Sequence, residues 1–290
     1  MIEQLNLNTF ELMNKIYNYI KLTRPLNCLI TALVVFVGGI ISSHNNSFDR
    51  ILILASIVAA IVAASGNVIN DYFDIEIDKI SHPERPLIKG GIKPADALKL
   101  YFITVLLPLI ISFSLNLKLF LITLLVLAIL FLYSFIIKKI PLVGNVTIAL
   151  LTAIAFLFGG FAVGNIKAAI IPAVFAFMIN LIRELVKDAE DIDGDKSDNV
   201  ITFPIKFGLE KTRYLIVALT IALIIFTFYP FLVRLYNIEY FVIVMLVVNP
   251  LLIYSMKKLF VNDLKENFHR ISSVLKLNML IGLIAIYLGK

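Results

Sequence analysis

Nine apolar stretches, at residues 26–42, 51–73, 97–115, 118–137, 142–163, 168–186, 213–233, 239–256 and 272–289, run through this chain from end to end. Most are close to the ~20 residues that a helix needs to cross a bilayer. In hydrocarbon every backbone polar group must find its partner inside the protein, so only helices and closed barrels span it, and runs of this length are helical. The fold class expected is therefore all-α, a polytopic membrane bundle of nine transmembrane helices. A soluble domain is excluded by the same residues, because 60% are hydrophobic, 16% are charged and the mean hydropathy is +0.95. Short connections leave no linker that could separate soluble domains, so residues 1–290 form a single membrane domain.

The net charge of +6 does not indicate nucleic acid, since the basic residues sit between apolar runs and form no continuous patch. They report topology instead. With the N-terminus cytoplasmic, 21 of the 26 lysines and arginines fall on the cytoplasmic side and only Arg50, Lys118, Lys167, Arg234 and Lys290 on the other. A single cysteine, Cys28, excludes a disulfide framework and a cysteine metal site. The first 25 residues carry no signal-peptide core, so no cleavage is expected there. Phe10, Met13, Ile16, Tyr17 and Ile20 recur at helical spacing, which predicts a helix over 8–22 lying on the membrane surface or, alternatively, a short soluble cap.

Within this apolar frame one pattern occurs twice. Asp71, Asp74 and Asp78 in NDYFDIEID read DxxDxxxD, and so do Asp188, Asp191 and Asp195 in KDAEDIDGD. On a helix this spacing gathers each triplet within about 60° of arc, while Glu76, Glu190 and Asp193 point elsewhere. Three like charges at the C-terminal end of an apolar helix repel one another and meet the negative end of the helix dipole, so cations are required. The motifs end the second and sixth runs, four spans apart, and each is followed by a Pro-Leu/Ile-(x)-Lys-x-Gly-like turn. An internal duplication of a four-helix unit accounts for this, with halves at about 26–137 and 142–256 and a ninth helix added. Parallel packing of the halves would bring the two acidic faces to one cavity. Gly38-Gly39 and Gly159-Gly160, also four spans apart, fit close helix packing.

Carboxylates are hard ligands that suit Mg²⁺, which takes one or two of them together with water and substrate phosphates. Paired acidic motifs beside Arg85, Lys89, Lys187, Lys196 and Lys206 therefore point to a metal-bound diphosphate, with all six aspartates as candidate metal ligands and catalytic residues. A deep apolar bundle below such a head suits a long hydrocarbon tail, and a prenyl diphosphate has both. An EF-hand is excluded for DIDGD, because no register supplies its glycine and terminal glutamate. His44, His82 and His269 lie in three separate loops and share no ligand spacing.

These residues resemble the paired aspartate motifs of the UbiA superfamily of intramembrane prenyltransferases. The likeness extends to Arg85-Pro86 after the first motif, to RPLN at 24–27, to Tyr133-Ser134 and to Gly144-Asn145. It implies a nine-span helical bundle using Mg²⁺ and a polyisoprenyl diphosphate. It also implies roles for Asn70, Asp71, Asp74 and Asp78 and for Asp188, Asp191 and Asp195, with substrate-binding roles for Arg24, Asn27, Lys138 and Asn145. Asn67, four residues before its motif, and Tyr133 join the substrate-binding set, and Lys187 joins the catalytic one. RELVKDAEDIDGD resembles the branch that makes archaeal ether lipids, where the implied acceptor is geranylgeranylglyceryl phosphate and the donor geranylgeranyl diphosphate. An aromatic acceptor such as 4-hydroxybenzoate or homogentisate stays open at this point. So does a secondary transporter, although transporter sites sit nearer the bilayer midplane.

Overall fold

The computed structural model describes residues 2–43, 49–197, 200–261 and 264–290, with side chains described outside 2–12, 80–81, 193, 197 and 264–265. Each apolar run becomes a helix. In chain order they are α1 (Ile2–Thr23), α2 (Pro25–Ser42), α3 (Arg50–Phe73), α4 (Ile75–Ser81), α5 (Pro94–Leu115), α6 (Leu117–Phe135), α7 (Val143–Ala162), α8 (Lys167–Glu190), α9 (Ile192–Ser197), α10 (Phe203–Phe207), α11 (Leu209–Leu232), α12 (Ile238–Ile243), α13 (Asn249–Lys258) and α14 (Leu264–Gly289). A π turn at Val244–Val248 joins α12 to α13, making one span of Ile238–Lys258. Among the described residues nine helical segments are long and apolar enough to cross a membrane, and the described residues contain no strand. Ile110, Phe113, Ile225 and Leu246 stand exposed along these spans, where a bilayer would meet them with acyl chains.

The chain divides into two units, one of Met1–Phe36 and Asp49–Ile136, the other of Val37–Phe48 and Ile137–Lys290. In the first, α3 packs against α5 and α6, and Gly66 leaves room for Leu130. Leu22 at the end of α1 is buried with Val68, Leu87, Ile92 and Ala97. Asn18 lies where a side chain on Gly91 would stand. The helix is thus docked, yet Met13, Ile16, Tyr17 and Ile20 remain exposed as an apolar row, the geometry of a helix lying on a lipid surface. Phe10 has no described side chain, and α1 begins earlier than the 8–22 expected.

In the second unit α7 and α8 pack face to face, and α8 also meets α11 and α14. Several buried polar groups are paired between its helices. Tyr240 donates its hydroxyl to the Thr227 carbonyl at 2.9 Å, Asn249 Nδ2 donates to Thr227 Oγ1 at 3.2 Å, and Asn278 Nδ2 donates to the Val248 carbonyl in the π turn at 3.1 Å.

One sequence expectation is corrected here. His269 lies within α14 rather than in a loop, because the ninth span begins at Glu266, which also sets Lys276 ten residues along it. His44 and the Asp193 side chain lie outside the described residues.

The glycines supply a direct test of close packing. A Cβ on Gly38 would lie 2.6 Å from the Phe156 carbonyl oxygen of α7, whereas one on Gly282 would meet nothing within 4 Å. Gly38→Ala is expected to cost about 1–3 kcal/mol through forced helix separation. Gly282→Ala, which gains helix propensity, should be neutral or stabilising. Thermal unfolding of the two variants in detergent checks the contrast.

Candidate active site

The first acidic motif is built where α3 stops. Asp74 takes φ −92° and ψ 8°, ending α3 and starting α4, yet its N–H still reaches the Asn70 carbonyl at 3.0 Å and the Asp78 N–H reaches the Asp74 carbonyl at 2.7 Å. The triplet therefore does not lie on one uninterrupted helix, as its spacing suggests. It is shared by two helices with the break at its middle aspartate.

Asp71 and Asp78 are buried, 3% and 2% exposed, and two arginines from other segments neutralise them. Arg85 Nη1 donates to Asp71 Oδ1 at 3.3 Å and also pairs with Asp78 Oδ2, bridging the ends of the triplet. Arg24 Nη2 pairs with the same Asp71 oxygen at 2.5 Å. Arg24 does so from φ +52°, a left-handed conformation that L residues rarely adopt, at the junction of α1 and α2. Asn67 fastens that junction by donating Nδ2 to the Thr23 carbonyl at 2.8 Å, and Asn70 Nδ2 donates to Asp74 Oδ2 at 2.9 Å. Burial pushes the Asp78 carboxyl above its ordinary range while Arg85 pulls it down. Glu76 is exposed and pairs with Lys79, off this face.

In the second unit the break recurs at the same position of the motif. Asp191 ends α8 at φ −98° and ψ 12°, with its N–H on the Lys187 carbonyl at 2.9 Å and the Asp195 N–H on its own carbonyl at 2.9 Å. Asp188 Oδ2 accepts from Asn145 Nδ2 at 2.9 Å, so the α7 amide holds it. Gly144 allows this, since a Cβ there would lie 3.2 Å from the Lys138 Cα. Lys187 reaches Glu184 at 3.7 Å, and Arg183 Nη1 donates to the same Glu184 oxygen at 2.9 Å. Glu190, on the far side of α8, meets His269 Nδ1 at 2.8 Å.

Of the sequence-derived candidates, the structure thus gathers Arg24, Asn67, Asn70, Asp71, Asp74, Asp78 and Arg85 in one unit and Asn145, Lys187 and Asp188 in the other. Tyr133 and Lys138 are half-buried, whereas Asn27, Lys89, Lys196 and Lys206 stand exposed, Lys206 over the Phe207 ring. The Arg183–Glu184 pair and the Thr23 carbonyl were not among the candidates. A charged Arg-Glu step inside the apolar run LIRELV is the signal that marks the pair. Among the described residues no three His, Cys, Asp or Glu side chains converge as a ready-made metal cage. Mg²⁺ keeps its waters and takes phosphate oxygens beside one or two carboxylates, and Asp71, Asp74 and Asp78 are hard oxygen donors of that kind.

Residues 29–280 match the UbiA prenyltransferase family. The chain belongs to that family. It is a multi-pass membrane prenyltransferase, similar to enzymes named digeranylgeranylglyceryl phosphate synthase. The one from Methanosphaera stadtmanae is 34% identical over 93% of this chain and 98% of its own length, and the one from Methanocaldococcus jannaschii is 36% identical over 96% and 97%. A solved structure described as concerning digeranylgeranylglyceryl phosphate synthase in membranes superposes with a TM-score of 0.80 at 36% identity, covering 95% of this chain and 98% of that one. A UbiA homolog from Archaeoglobus fulgidus bound to GPP and Mg²⁺ shares the fold, with a TM-score of 0.69 at 22% identity over 93% of this chain and 99% of that one. Family membership sets the transporter reading aside.

Arg85 tests the bridge directly. Arg85→Lys keeps the charge and loses the planar fork, so turnover should fall by about tenfold or more. Lys79→Gln, which removes only an exposed pair, should leave turnover unchanged. Both are read by prenyl transfer in detergent, with thermal unfolding confirming that each variant folds.

Proposed function

We propose that this prenyltransferase moves the geranylgeranyl group of geranylgeranyl diphosphate to the sn-2 hydroxyl of geranylgeranylglyceryl phosphate, forming the second ether bond of an archaeal membrane lipid. The observation that carries the acceptor assignment is the similarity, along nearly the whole chain, to relatives that bear that enzyme's name. The geometry supports the donor half. Asp71, Asp74 and Asp78 in the first unit and, separately, Asp188, Asp191 and Asp195 in the second would each hold Mg²⁺ of the kind that binds a diphosphate. Bound there, the metal supplies Lewis-acid assistance to the departing diphosphate.

The chain's own residues divide the remaining work. Arg24 and Arg85 hold Asp71 and Asp78 in place and add positive charge where diphosphate oxygens would lie. Asn70 orients Asp74, and Asn145 orients Asp188. Tyr72, Phe131 and Phe135 pack their rings around Phe73, the residue before Asp74, with centroids 5.5–5.7 Å from it. In the reaction the C1–O bond of the donor breaks and its electron pair leaves with diphosphate. The sn-2 oxygen then bonds to C1 and gives up its proton, so the products are the ether, diphosphate and H⁺. The motif-bearing helix ends are assigned to the cytoplasmic face of the cell membrane, where most of the basic residues then lie.

Purified protein given geranylgeranyl diphosphate and Mg²⁺ should form an ether with geranylgeranylglyceryl phosphate and no product with 4-hydroxybenzoate or homogentisate, as read by mass spectrometry. Chelation with EDTA should stop the reaction and Mg²⁺ restore it. Asp74→Ala and Asp191→Ala should each abolish turnover, while Glu76→Ala keeps most of it. An aromatic product in place of the ether would overturn the acceptor assignment.

A further inference from the structure

We propose that Arg183 and Lys276, with Lys187 beside them, form the subsite for the phosphate of the acceptor. The inference rests on the acceptor assignment above, and it begins from helix register within the second unit. Glu190 of α8 meets His269 of α14 at 2.8 Å. Seven residues back along α8 stands Arg183, and seven residues forward along α14 stands Lys276. The two helices run antiparallel, so these steps carry both cations about 10 Å deeper, to one level of the pair. Lys276 accordingly lies within electrostatic reach of Arg183 and Lys187, as well as of Glu184 and Glu190.

Like charges that face each other inside membrane spans are costly and are kept for a reason. Glu184 alone bridges Arg183 and Lys187, and His269 already engages Glu190. Arg183 is 16% exposed at its side chain, and its Nε–H is buried with no acceptor among the described residues. Leaving such a donor unpaired is unfavourable. The balance here therefore leaves one buried Arg183 donor without an acceptor among the described residues. A phosphomonoester reverses that balance, since its oxygens can take the Arg183 Nε–H and the Lys276 ammonium together. Arg24 and Arg85 pair with Asp71 and Asp78 in the first unit, whereas Arg183 and Lys187 stand five residues and one residue before Asp188 on α8, and Lys276 stands on α14.

Removing the phosphate from the acceptor tests this, because it deletes the same interaction from the other side. Wild-type protein and Arg183→Gln are compared with geranylgeranylglyceryl phosphate and with geranylgeranylglycerol. For the phosphorylated acceptor the variant should raise KM by about 10- to 100-fold, the worth of one or two charge-assisted hydrogen bonds. It should leave KM for geranylgeranyl diphosphate within about twofold and change little with the dephosphorylated acceptor. Acceptor binding measured without donor should weaken in parallel. Lys276→Gln, an exposed position that folding tolerates, should show the same pattern more weakly and carries the test if Arg183→Gln does not fold. Equal losses with both acceptors, or a raised KM for the diphosphate instead, would sink the subsite while leaving the acceptor assignment standing. Failure of the wild type itself to use geranylgeranylglyceryl phosphate would remove both.

Discussion

Carboxylates crowded at the end of an apolar helix must be given countercharge, and much of the first unit is arranged to deliver it. An unpaired buried carboxylate costs several kcal/mol even after local relaxation. Asp71 and Asp78 avoid that cost through Arg24 and Arg85, neither of which is on their helix. The delivery of Arg24 explains its left-handed backbone and the Asn67 amide that clamps the α1–α2 junction through Thr23. The delivery of Arg85 explains the irregular turn after α4, which folds back onto buried Leu87 and Ile92. Even the docking of α1 by Leu22 contributes, since it fixes the residue two positions before Arg24. Local strain and loop shape in this unit thus follow from one electrostatic demand.

The second unit meets the same demand by other means. Asp188 is held by an amide, that of Asn145, while Arg183 pairs through Nη1 with Glu184. A neutral donor orients a carboxylate without cancelling its charge, whereas an arginine does both. The two motifs, alike in sequence and in the position of their helix break, therefore carry different electrostatic settings. Two repeats of DxxDxxxD are consequently not two copies of one site.

Much of this was legible beforehand, for identifiable physical reasons. Span positions follow from apolar run length, and all nine expected spans overlap helices of bilayer length among the described residues. The tight approach at Gly38 follows from small residues inside an apolar helix. Arg85 could be named from its charge beside the first motif, whereas Arg24, Asn70 and Asn145 are marked by the family resemblance; their partners lie 47, 4 and 43 residues away, and of these only the four-residue step of Asn70 is a helical neighbour. The break at each middle aspartate was not legible, since periodicity counts residues at 100° each and is blind to a local change of ψ. Nor was the depth of Lys276, because the apolar run at 272–289 starts only four residues before it, while the helical span starts at Glu266.

The break itself has a physical rationale. An unbroken α3 would present Asp71, Asp74 and Asp78 to its own negative end, where the dipole adds to their mutual repulsion. Ending α3 at Phe73 and starting α4 at Ile75 makes Asp74 both the C-cap of one helix and the N-cap of the next. The middle carboxylate, which has a charged neighbour on either side, then faces the positive N-terminal end of α4 as well as the negative end of α3, and the two fields oppose each other there. Asp191 stands in the same relation to α8 and α9. Placing the break one residue toward either terminus would give this compensation to a residue with no charge to stabilise, Phe73 or Ile75 in one motif and Ile192 in the other, or to Glu190, which His269 already holds.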